Sequence, residues 1–227
     1  MLTYCITVLL FAGAALLAAA LAERFLHREQ SASAAGDAEE GALPLIWFRT
    51  ARRRKTAALV LGAVTGLGAG FTVGLSPALV PLLAAFAGMV CGGLIDDQLR
   101  IIPNEIPLCM VMASAVSMLL LFLVQRQMML PFAFSCLVGG AASFLLMLLV
   151  CLVSRGGFGM GDVKLIGALG LLCGGVCVLG TLFLATFAAA LCSLWMLLRR
   201  KAGVRSSMPF GPFLMAGYAA AVILGIC

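Results

Sequence analysis

Apolar residues run along this chain in long blocks, and polar residues are confined to the gaps between them. Eight blocks stand out, at about 3–22, 56–75, 77–95, 106–124, 128–153, 165–180, 181–198 and 210–226. Each is close to the roughly 20 residues that an α-helix needs to cross a hydrocarbon core. The stretches 56–95 and 165–198 are almost continuous and too long for one pass, so breaks are expected at Gly74-Leu75-Ser76-Pro77 and near Gly180. The pattern predicts an all-α, polytopic membrane helix bundle of about eight transmembrane helices, or six or seven if some are strongly tilted.

Composition strengthens this reading. Hydrophobic residues make up 63% of 227 and charged ones 11%, more apolar surface than a soluble fold of that length can hide. Charge then orients the bundle. With the N-terminus outside, the inner segments are 23–55, 96–105, 154–164 and 199–209, and they hold fourteen of the fifteen Lys and Arg residues, leaving only Arg126 outside. That asymmetry is what the positive-inside rule expects of one orientation and not its reverse. The net charge of +6 therefore reads as topology, and no nucleic-acid partner is implied.

The polar segments carry little chemistry of their own. Residues 1–22 end on small residues like a cleavable signal, but no basic residue precedes the apolar run, so a retained first helix is expected. Residues 29–43 are small, polar and acidic, the composition of a loop that cannot bury a core. Leu45-Ile46-Trp47-Phe48 followed by Arg49 and the Arg52–Lys55 run has the makings of an interfacial anchor.

Nine cysteines lie in apolar runs or at their ends, and none forms a Cys-x-x-Cys pair. They are expected to be small buried hydrophobes rather than disulfides or metal ligands. Cys173 and Cys177 share a helix face, but no histidine is near them, so no metal and no cofactor is implied. The single histidine, His27, sits beside Arg28 in the first inner segment, which leaves nothing to activate a serine or cysteine nucleophile.

The carboxylates remain. After Glu40 the only ones are Asp96, Asp97, Glu105 and Asp162, and Asp96 and Asp162 both fall at the inner edge of the predicted bundle. Two apposed carboxylates share a proton, so one can act as base toward water while the other polarises a carbonyl. Asp162 follows Gly159-Met160-Gly161, where missing Cβ atoms would admit a substrate backbone and permit positive φ. An aspartate at a helix start is equally well placed as an N-cap, and local sequence does not separate the two roles.

Three blocks in order, all on inner segments, resemble the type IV prepilin peptidases, the bacterial branch of the Gly-x-Gly-Asp intramembrane aspartyl proteases. They are Ile95-Asp96 leading through Arg100 to Ile102-Pro103-Asn104, then Gly157-Phe158-Gly159-Met160-Gly161-Asp162-Val163-Lys164-Leu165, then Pro209-Phe210-Gly211-Pro212-Phe213-Leu214. The resemblance implies a peptidase domain over 56–227, preceded by an N-terminal transmembrane helix at 1–22 and a basic cytoplasmic loop at 23–55. It implies Asp96 and Asp162 as the catalytic pair, with Gly159, Gly161, Lys164, Pro103, Asn104, Pro209, Phe210 and Gly211 as substrate-binding or active-site loop residues. Asp97 stands one residue too close to Pro103 for the family pattern and is expected to be solvated or paired with Arg100.

The implied substrate is a prepilin or pseudopilin precursor, cut after a glycine at the cytoplasmic face of the bacterial inner membrane, with the lipid bilayer as the other partner. Many bacterial members also methylate the new N-terminus and carry two Cys-x-x-Cys pairs in the first loop. The loop at 23–55 has no cysteine, which leaves methylation without that support. An ion-coupled transporter and a non-catalytic scaffold are the rival classes: the first would place its carboxylates near the midplane, the second would tolerate Asn in place of either aspartate.

Overall fold

The computed structural model describes residues 2–33, 51–124, 126–154, 159–199 and 208–227. These form eight helices and no strand: α1 (Leu2–Ser33), α2 (Ala51–Thr72), α3 (Leu79–Leu99), α4 (Glu105–Val124), α5 (Arg126–Val153), α6 (Met160–Cys173), α7 (Gly175–Leu198) and α8 (Gly211–Ile223). Six of them, all but α6 and α8, are long and apolar enough to cross a membrane. The chain is a multi-pass membrane protein.

The expected break after α2 is present, with Gly74 at φ +62° and a turn through Pro77. The second break lies at Gly174 and not near Gly180. Gly174 adopts φ +84°, a conformation that costs glycine little, whereas Gly180 continues α7. The first helix also runs past its expected end to Ser33, and Ala51–Lys55 open α2, so the segment 23–55 is helical at both ends. The Trp47-Phe48 anchor and most of the acidic stretch lie outside the described residues.

Consecutive helices pack antiparallel, which sorts their ends. α1 and α2 meet along Gly62, Gly66 and Gly70, where an added Cβ would come within 2.7–2.8 Å of α1 at Phe11, Val8 and Thr7. Such small-residue stripes let helix backbones approach closely in lipid. Glu23 of α1 pairs with Lys55 of α2 at 2.8 Å. α3 is the centre of the bundle, touching α1, α4, α6 and α8. Phe11 packs on Phe86 with ring centroids 5.2 Å apart, and the buried Tyr218 hydroxyl of α8 donates to the Leu82 carbonyl at 2.9 Å.

A disulfide joins Cys177, near the start of α7, to Cys227, beyond α8, which corrects the expectation that every cysteine is a free hydrophobe. Antiparallel packing of α7 on α8 brings together two residues 50 apart in sequence, a juxtaposition that spacing alone does not reveal. It lies at the end of the bundle opposite the aspartates.

Candidate active site

At the other end, α3 stops just after its two aspartates. Arg100 takes φ +55°, a left-handed cap whose N–H donates to the Asp96 carbonyl, and it is the one non-glycine with positive φ among the described residues. Pro103 follows shortly, and proline commonly lies just beyond a helix end. The chain then crosses over the start of α6: a Cβ on Gly161 would lie 2.8 Å from Ile102 Cβ and 3.3 Å from its carbonyl. Lys164 Nζ donates to Asn104 Oδ1 at 2.8 Å and so ties α6 to the start of α4.

The third block arrives from α8. Pro209 and Gly211 are buried, and the Gly211 N–H donates to Asp96 Oδ2 at 2.7 Å. The approach is possible only without a side chain, because a Cβ at Gly211 would sit 2.7 Å from Asp96 Cβ and 2.9 Å from Oδ2. One turn back on α3, Gly93 makes room for the Gly211 carbonyl at 2.9 Å from its own absent Cβ. Gly93 lies outside the three sequence blocks, and Ile102 belongs to the first of them without standing out as a site residue. The signal for Gly93 was its position three residues before Asp96, on the same helix face.

Asp96 and Asp162 are both buried, each 7% exposed, and the charge of Asp96 acts on Asp162. The fold thus brings Asp96, Asp162, Gly161 and Gly211 into one site, with Pro103, Asn104 and Lys164 along its edge. Asp162 is not an N-cap. The helix starts earlier, with Gly159 as cap and Met160 first, which puts Asp162 in the third helical position. From there its carboxylate reaches back to the Gly159 N–H, half of a capping box, which leaves its other oxygen outside that contact.

The expectation of positive φ at these glycines is also corrected. Gly159 has φ −76° and ψ 145°, and close contact with Ile102 is what demands glycine at 161. Asp97, expected to be solvated or paired with Arg100, is not solvated: it is only 3% exposed, and its Oδ2 accepts from Gln98 Nε2 at 3.1 Å, since the last turn of α3 is still enclosed by its neighbours. Arg155, Gly157 and Phe158 fall outside the described residues.

Two expectations follow from this geometry. A Cβ at Gly159 would find its nearest neighbours at 3.9 Å, against 2.8 Å at Gly161. Gly159→Ala should therefore leave thermal stability nearly unchanged, while Gly161→Ala should cost about 1–3 kcal/mol, as overpacking does; thermal unfolding of the purified variants in detergent measures both.

The second expectation concerns pH. Asp162 stands ahead of the apolar part of α6 and outside the six spans, and burial, followed by the charge of Asp96, pushes its carboxyl up to about 7. A carboxyl raised by folding binds its proton more tightly in the native state, so its contribution is full at low pH and is lost as pH rises through about 7. The unfolding midpoint should fall as pH rises from about 4 to about 7, and Asp162→Asn should flatten that slope.

Fold and site together define a class, a polytopic α-helical membrane protein with a pair of buried aspartates near one end of its bundle. Residues 83–194, the segment that carries both aspartates, match the profile of the type IV leader peptidase family. Over 159 residues the chain is 26% identical to the prepilin leader peptidase/N-methyltransferase of Bacillus subtilis (strain 168), a match that covers 69% of the chain and 60% of that relative's length. No solved structure matches it significantly.

Proposed function

We propose that the protein is a membrane-embedded aspartyl endopeptidase that removes the leader peptide of prepilin-like or pseudopilin precursors at the cytoplasmic face of the inner membrane. The observation that carries this reading is the convergence of Asp96 and Asp162, from α3 and α6, in a buried site within a segment that matches the leader peptidase profile. Water held between the carboxylates would lose a proton to one and attack the scissile carbonyl, whose oxygen takes a proton from the other. The product is a pilin-like chain with a free amino terminus, and methylation is not part of the proposal.

Position in the bundle favours this over a transporter. Asp96 lies in the last turn of α3 and Asp162 in the first turn of α6, both at the end where Glu23 meets Lys55, whereas coupling sites of transporters lie near the midplane. The N-terminus is then outside and the aspartates inside. The test is the size of an epitope-tagged precursor mixed with the purified protein in detergent, with N-terminal sequencing of the product. A new terminus following the leader glycine supports the proposal, and full-length precursor from several prepilins would move the transporter or scaffold reading ahead.

A further inference from the structure

The two carboxylates have unequal surroundings. Asp96 faces the first turn of α8, where N–H groups lack helical partners. The Gly211 N–H donates to its Oδ2 at 2.7 Å, and the Phe210 N–H adds a second contact. Asp162 receives the Gly159 N–H, but among the described residues no group hydrogen-bonds its buried Oδ1. An N–H can face only an acceptor, so Oδ2 of Asp96 is not where a proton sits. A buried, partnerless oxygen is costly when charged and is relieved by protonation.

Building on the two-aspartate peptidase reading, we propose that the proton of the pair resides on Asp162 and that Asp96 is the ionised base. Asp96 takes a proton from water while the hydroxide oxygen bonds to the scissile carbonyl carbon, and Asp162 gives its proton to the carbonyl oxygen, forming a neutral gem-diol. Asp96 then passes its proton to the leaving nitrogen as the C–N bond breaks. Asp162 recovers a proton from a diol hydroxyl as the carbonyl re-forms, so the pair ends as it began.

Among the described residues the neighbouring charges are few. Asp97 and Arg100 flank Asp96 on its own helix, Asp162 faces it from α6, and the first turn of α8 brings no charged side chain. Lys164, two residues beyond Asp162, is engaged by Asn104. The upward push on Asp162 accords with this placement but is not needed for it.

The chain has only four aspartates, Asp37, Asp96, Asp97 and Asp162, so protein labelled with carbon-13 at the aspartate carboxyl gives four resonances that single Asp→Asn variants assign. At pH 6 the resonance missing from Asp162→Asn should lie at the protonated position, and that missing from Asp96→Asn at the carboxylate position. The reverse order, or two resonances that titrate together, would overturn the assignment.

Replacing residue 211 by glycolic acid turns its amide into an ester and deletes the N–H without adding a Cβ. The Asp96 resonance should then move toward the protonated position at the same pH; no movement would show that this contact does not set the proton's place. Neither measurement uses substrate, so failure of the cleavage assay beside a positive result here would count against the peptidase reading alone.

Discussion

Co-expressed with a tagged prepilin, Asp96→Asn and Asp162→Asn should leave the precursor at full length, while the wild type and Asp97→Asn convert it. Asparagine matches aspartate in shape, and at position 162 it keeps an acceptor for the Gly159 N–H, so the bundle survives either change. What is lost is proton transfer: an amide in place of the Asp96 carboxylate could not take a proton from water, and one in place of the Asp162 carboxyl could not give a proton to the carbonyl oxygen. Loss of a positioned acid or base costs about 10²–10⁴ in rate. Because the two act as a unit, the double variant should fall little further than either single one. Asp97 is buried and bonded to Gln98, and replacing it should change the rate only a few-fold. Cleavage by all three variants would remove the pair from the mechanism.

The second large effect is expected at a residue with no side chain. Gly211→Ala would drive a Cβ to 2.7 Å from Asp96 Cβ and 2.9 Å from Oδ2, and either α8 must withdraw or the carboxylate must turn away. A misplacement of about 1 Å in a catalytic group can cost on the order of 100-fold, and the loss should fall on kcat rather than KM. Gly217→Ala is the matched control. Its Cβ would meet the Thr181 carbonyl at 2.7 Å and Ala185 Cβ at 2.8 Å, against α7 and away from the aspartates. Both variants should lose stability, and only Gly211→Ala should lose kcat as well. Equal losses of kcat would reduce Gly211 to a packing residue.

The bundle was legible from the sequence because its helices must satisfy their backbone hydrogen bonds internally and meet lipid with apolar side chains, a demand written residue by residue along each block. The aspartates were legible because carboxylates are so rare in blocks of this kind. What escaped depended on tertiary contact. The break at Gly174 and the disulfide between Cys177 and Cys227 both depend on which helix lies beside which. Gly180, a plausible break by composition, proves to be helical and packed against Ile226. Asp162 was ambiguous between cap and catalyst because the sequence does not show that α6 starts at Met160, three residues earlier than an aspartate cap would require.

The two helices that fall short of a full crossing are the two that frame the aspartates from either side of α3. At 1.5 Å per residue, the 14 residues of α6 and the 13 of α8 span roughly 20 Å, against about 30 Å of hydrocarbon. Neither helix can cross the hydrocarbon alone. Lipid beside them has to dimple inward or give way to water. The bilayer itself would then form the mouth of the site, a shallow well in which a peptide bond at the end of a membrane helix meets both carboxylates and solvent without the helix being drawn out of the membrane.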